Sequence, residues 1–176
     1  MNKGRILLKL VLEKIGFTDL EEISNFTTRK ILQKNIYLLQ LTGLDLGYRY
    51  NWYLKGPYCP ALADATFTLR EEIKYDNEFN EYELNSKTIR KLDKLDEITA
   101  LPDAVQAEES EWLELLASLH YLKHIAYWAG KNDPRFEKVF EKLSKSKPNF
   151  AEKENLARAA WKRLEDNGLV EHKTLE

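Results

Sequence analysis

Residues Tyr48–Lys55 limit the fold more than any other stretch. Tyr48, Tyr50, Trp52 and Leu54 fall on one side of an extended chain, and Arg49, Asn51, Tyr53 and Lys55 on the other. Period two with aromatic side chains marks a half-buried strand. Gly56-Pro57 breaks that strand, and Pro60 suits the first position of a new helix, where a missing N–H costs nothing. That helix runs through Leu62, Ala65, Phe67 and Leu69. Tyr82-Glu83-Leu84 alternates briefly and is the candidate partner strand.

Helical periodicity dominates the rest of the chain. Ile31, Leu32, Ile36 and Leu39 predict a helix over 28–41, capped by Thr27 or Thr28 and stopped at Gly43, with Lys30, Gln33 and Lys34 toward water. Before it, residues 5–15 form a helix with Lys9, Glu13 and Lys14 outside and Gly16 as its stop. Thr18–Glu21 has a capping-box pattern, and a short helix follows to Asn25. Residues 71–80 read as a loop or frayed helix end. Asn85 or Ser86 caps a helix through Ile98 with Ile89, Leu92 and Leu95 on a narrow stripe. Residues 99–110 contain Pro102 and no periodicity. They read as a flexible linker between an N-terminal lobe (1–98) and a helical C-terminal part (111–176), both within one helical domain.

The helix predicted over 111–129 is the most apolar in the chain, with Gly130 as its stop. Asp133-Pro134 is the expected cap and start of the next helix, with Phe136, Val139, Phe140 and Leu143 inward. Asn149–Glu152 is the expected cap of the last, which runs to Asn167 and stops at Gly168. Leu169-Val170-Glu171 then begins an extended segment. The fold class is therefore mainly α with a small antiparallel β hairpin. A helix handing over to an extended end makes it winged-helix-like.

Lys30-Ile31-Leu32-Gln33-Lys34, Tyr37-Leu38-Leu39-Gln40, Gly47-Tyr48, Asn51-Trp52-Tyr53 and Gly56-Pro57-Tyr58-Cys59-Pro60 together resemble the YwgA-like family of small prokaryotic proteins. They more distantly resemble the Panacea antitoxin domain, also met in phage-associated proteins. Trp112–Leu122 resembles a YwgA-like segment as well. The chain departs from that pattern by carrying Cys59 where a serine is expected, which puts side-chain capping there in doubt. The resemblance implies a non-enzymatic, antitoxin-like role in phage defence and supplies no catalytic residue.

Charge divides the N-terminal half. Residues 25–70 carry a net charge of +4, and residues 71–86 a net charge of −5. A basic stretch beside an acidic one marks a binding patch or two faces that neutralise each other. The binding reading assigns Arg49, Asn51, Tyr53, Lys55 and Tyr58 to a protein-docking surface, since Tyr and Arg dominate such contacts. A DNA-binding winged helix is the alternative. It would use Arg29, Lys30 and Lys34, with Arg158, Lys162 and Arg163 on the last helix. Against it, residues 150–176 hold five basic and six acidic residues, as a salt-bridged surface helix does. The overall net charge of −2 excludes a surface that is basic throughout.

Chemistry is sparse. There is no Gly-rich phosphate loop and no Gly-x-Ser-x-Gly elbow. The single cysteine, Cys59, excludes an internal disulfide and a Cys-rich metal site, and reads as structural. His120 and His124 have a metal-compatible spacing, but His172, the remaining histidine, is distant in sequence. The pair therefore reads as packing or surface residues, and no metal or cofactor is expected. No stretch reaches the roughly 20 apolar residues that span a bilayer. The expected setting is a prokaryotic cytoplasm, the prokaryotic part resting on the resemblance alone. The expected partner is a protein, a toxin among the candidates; DNA and a second copy of the chain are the further partners this reading admits.

Overall fold

The structure is a computed structural model that describes residues 1–126, 128 and 133–171. Among the described residues the chain is mainly α-helical with one two-stranded antiparallel hairpin. The helices are α1 (Lys3–Lys14), α2 (Phe26–Leu41), α3 (Pro60–Glu72), α4 (Ser86–Thr99), α5 (Glu109–His124), α6 (Phe136–Ser146) and α7 (Glu154–Asp166). The strands are β1 (Asn51–Tyr53) and β2 (Gly56–Tyr58), and short 3-10 turns occupy Leu20–Ser24, Glu78–Glu81 and Pro148–Phe150. None of the described helices is long and apolar enough to cross a membrane.

The chain divides into two compact units. The first holds Met1–Asn51 and Tyr58–Glu97; the second holds Trp52–Pro57 and the chain from Ile98.

In the first unit, α2 is buried at every position from Leu32 to Leu39. Asn25 caps it, its side chain accepting from Thr28 N at 3.1 Å, so the helix starts ahead of the expected Thr27 or Thr28 cap. A carboxamide or carboxylate caps at least as well as a threonine hydroxyl. The same preference puts Asp19, which accepts from Glu21 N, in place of the Thr18–Glu21 box.

Gln33 and Lys34, expected toward water, are buried at 2% and 1% exposure. Gln33 has a structural task there. Its amide donates to Cys59 O at 2.9 Å and accepts from Cys59 N at 3.0 Å, pairing both backbone groups as a neighbouring strand would. Gln40, two turns further on, does the same for another loop. Its Oε1 accepts from Leu46 N and Tyr48 N, both at 3.1 Å, and its Nε2 donates to Tyr48 O at 2.9 Å. Lys9, also expected outside, is buried on α1 with its ammonium on Glu13 and over the Phe79 ring.

The hairpin is shorter than the alternation implied, and its partner strand is local. β1 pairs with Gly56–Tyr58, not with Tyr82–Leu84, which forms no strand. Leu54 and Lys55 make the turn, and Gly56 follows at φ +85°, a left-handed position open to glycine at no steric cost. The glycine read as a breaker is thus the residue that closes the hairpin. Cys59 is the N-cap of α3 without a side-chain bond, and Pro60 opens that helix as expected. Asn85 caps α4 by accepting from Thr88 N at 2.8 Å, and Leu92, Leu95 and Ile98 are buried along that helix.

In the second unit α5 is the central helix, buried without a break from Trp112 to His120 and flanked by α6 and α7. It ends at His124; the expected stop, Gly130, lies outside the described residues. α6 begins at Phe136, not at Asp133-Pro134, because the Asp133 carboxylate is taken by the buried Lys123 ammonium. Asn149–Glu152 does not cap α7, since Pro148–Phe150 forms a 3-10 turn and Lys153 occupies the cap position. Leu169–Glu171 is not a strand, and Gly168 leaves α7 at φ +69°.

Candidate interaction site at the hairpin

The turn of the hairpin is held from beneath. Trp52 lies with its ring centre 5.6 Å from that of Tyr121 on α5. Lys147, at the C-terminal end of α6, brings its ammonium to 5.3 Å from the Trp52 ring centre. That ammonium donates to Glu114 Oε1 at 2.8 Å and to the carbonyl oxygen of Leu54. The Lys147 and Glu114 side chains are only 3% and 4% exposed. A buried ion pair survives desolvation only with good geometry and further hydrogen bonds. The Leu54 carbonyl supplies one such bond, so the same contact satisfies the ammonium and fixes the turn.

The outer side of the turn is exposed to solvent. Leu54 is 85% exposed and Tyr53 44%. Lys55 and Asn51 are exposed too, and Tyr58 is half-buried. The Arg49 side chain is largely exposed and meets Asp45 at 3.4 Å, a contact worth little between solvated groups. The alternation therefore holds from Tyr48 to Tyr53, with Tyr48, Tyr50 and Trp52 turned inward, and fails at Leu54 because the chain is already turning there. Tyr50 donates its hydroxyl to Gln33 O at 3.0 Å, and burial pushes its pKa well above the ordinary tyrosine value.

The residues assigned to nucleic acid are mostly occupied. Arg29 donates to the carbonyls of Ile23 and Ser24, both at 2.8 Å, while Lys30 is half-buried. Lys34 is inside the protein, which removes it as a phosphate contact. On α7, Arg158 meets Glu154 at 2.8 Å, and Lys162 meets Asp166 at 3.0 Å. Arg163 donates to the carbonyls of Ile98 and Ala100 and lies over the Trp112 ring. These are the contacts of a salt-bridged surface helix.

Cys59 is buried, so its sulfur is shielded from a substrate. Among the described residues no group of three or more His, Cys, Asp or Glu converges as a metal site. His120 is buried, which drives its pKa down to about 3, with the neighbouring His124 adding to the effect. Sequence reasoning missed Lys147 and Glu114. Glu114 carried a signal: it stands between Leu113 and Leu115 in the most apolar helix of the chain, where a carboxylate needs a partner.

No family model, no curated protein and no solved structure matches this chain.

Proposed function

We propose that this chain is a non-enzymatic protein-interaction module that offers its hairpin turn to a partner protein and restrains that partner, as the YwgA-like and Panacea-like resemblance implies. One observation carries the reading. Leu54, an apolar side chain 85% exposed, sits on a turn whose backbone is tied to a buried ion pair. An exposed apolar residue on a fixed backbone favours association, because little freedom remains to be lost on binding. Lys55 beside it, with Arg49 nearby in sequence, favours a partner surface of negative potential. The setting proposed is the cytoplasm.

The test places a photo-crosslinking residue at position 53 and recovers the tagged protein from its host. A single crosslinked protein, lost when Leu54→Asp is added while the far-ultraviolet circular dichroism is unchanged, is the expected result. Crosslinking to nucleic acid alone, or protein capture indifferent to Leu54→Asp, overturns the reading.

A further inference from the structure

Besides the side chains it buries in the core, α1 carries a second stripe. Lys3, Leu7, Leu10 and Lys14 follow one another at intervals of four, three and four residues, which aligns them on one face of the helix. Leu7 and Leu10 are only half-buried, and both lysines are exposed. Residues 82–85 border this stripe; they contain no turn or bend, and Tyr82 is extended at φ −120° and ψ 150°. Together they line two hollows, of about 290 and 470 Å³, that share Leu10, Tyr82, Glu83 and Leu84 and so form one groove.

The groove offers backbone as well as apolar surface. Among the described residues, the N–H groups of Glu83, Leu84 and Asn85 and the carbonyls of Tyr82, Glu83 and Leu84 have no hydrogen-bond partner in the protein. A strand laid along them pairs with such groups and sends alternate side chains to the groove side. Charge complements this. Lys3 and Lys14 have no carboxylate partner among the described residues, whereas Glu13 is held by Lys9. Glu83 is the unpaired carboxylate of the lining, so the unpaired charges sum to +1. Lys3 and Lys14 stand eleven residues apart, roughly 16 Å along the helix, which about five extended residues span.

We propose that this groove takes an extended peptide of a partner protein, which adds a strand to residues 82–85. Two apolar side chains, two residues apart, fill the hollows, and a carboxylate at each end meets Lys3 and Lys14. This does not rest on the docking role of the hairpin. The probes are synthetic peptides acetyl-Asp-X-Thr-X-Asp-amide, with X as Val, Ile, Leu or Phe, titrated into the intact protein while amide exchange is followed by NMR. At least one peptide is expected to saturate and to slow exchange of an amide among Glu83, Leu84 and Asn85 at least tenfold. N-methylation of its X-Thr-X backbone is expected to abolish that protection. The double variant Lys3→Glu/Lys14→Glu, changed only at exposed positions, is expected to bind the peptide about tenfold more weakly and to prefer the same peptide with Lys ends, with circular dichroism unchanged. Failure of every peptide to bind, unaltered exchange at all three amides, equal binding of the N-methylated peptide, or equal affinity in the double variant overturns the proposal.

Discussion

α2 and α5 are each sixteen residues long, and each buries an unbroken run of side chains. They anchor neighbouring backbone by different chemistry. On α2 the anchors are neutral: the amides of Gln33 and Gln40 pair the backbone groups of Cys59, Leu46 and Tyr48. On α5 the anchor is charged: Glu114 holds Lys147, and Lys147 holds the Leu54 carbonyl. A neutral amide is cheap to bury once bonded, and its loss strands only the groups it paired. A buried ion is costly to bring in, and loss of its partner leaves an uncompensated charge. The two units should therefore respond unequally to the removal of one side chain.

The largest effect is expected at the charged anchor. Lys147→Ala should destabilise the fold by about 3–5 kcal/mol, as deleting one member of a buried pair does. The double variant Glu114→Leu/Lys147→Met should recover most of that loss, as read by urea unfolding. If the double variant is no better than Lys147→Ala, the pair is not what makes the site costly to break.

A smaller effect, on the order of a few kcal/mol, is expected from acid. His120 ionises near 6.5 when unfolded and near 3 when folded, so between those values the unfolded chain binds more protons. Stability is then lost as pH falls from about 6.5 toward 3, in addition to what the carboxylates lose. His120→Gln should flatten the fall between pH 6.5 and 4.5 relative to the wild type. Parallel pH profiles of the melting temperature would show that His120 has no share in it.

Gln33→Leu comes next, at about 1–3 kcal/mol, because it strands the Cys59 N–H and carbonyl in a buried position. Comparison with Lys147→Ala tests the ranking of amide below ion directly. The smallest effect on stability belongs to Leu54→Asp, within about 0.5 kcal/mol, as for other exposed positions. A larger cost there would show that Leu54 is covered within the fold and would break the contrast between its held backbone and its bare side chain.

Much of this architecture was legible because it rests on local rules. The apolar periodicities of α1 to α7, Pro60 opening α3, Asn85 capping α4 and the stops at Gly16 and Gly168 all follow from backbone chemistry within a few residues. What escaped is non-local. Helical spacing placed Gln33, Lys34 and Lys9 toward solvent, but α1 and α2 bury them, and no spacing rule reports that a glutamine will pair a backbone twenty-six residues away. The hairpin was misread for the opposite reason. Gly56-Pro57 reads in the sequence as a strand breaker, yet Gly56 at positive φ is what lets the chain double back. At the candidate site the exposed side of Arg49–Tyr53 followed from alternation. The anchoring by Lys147 did not, since the two partners are 93 residues apart.

That separation has a consequence for synthesis. The turn that carries Leu54 leaves the ribosome long before residue 147 does, and until then its carbonyl has no ammonium to hold it. A nascent or prematurely ended chain therefore displays the same Tyr53-Leu54-Lys55 letters on a slack loop. Only a chain that has extended past residue 147 offers them in a fixed pose, so a partner that selects the fixed pose also selects chains in which α6 has been made.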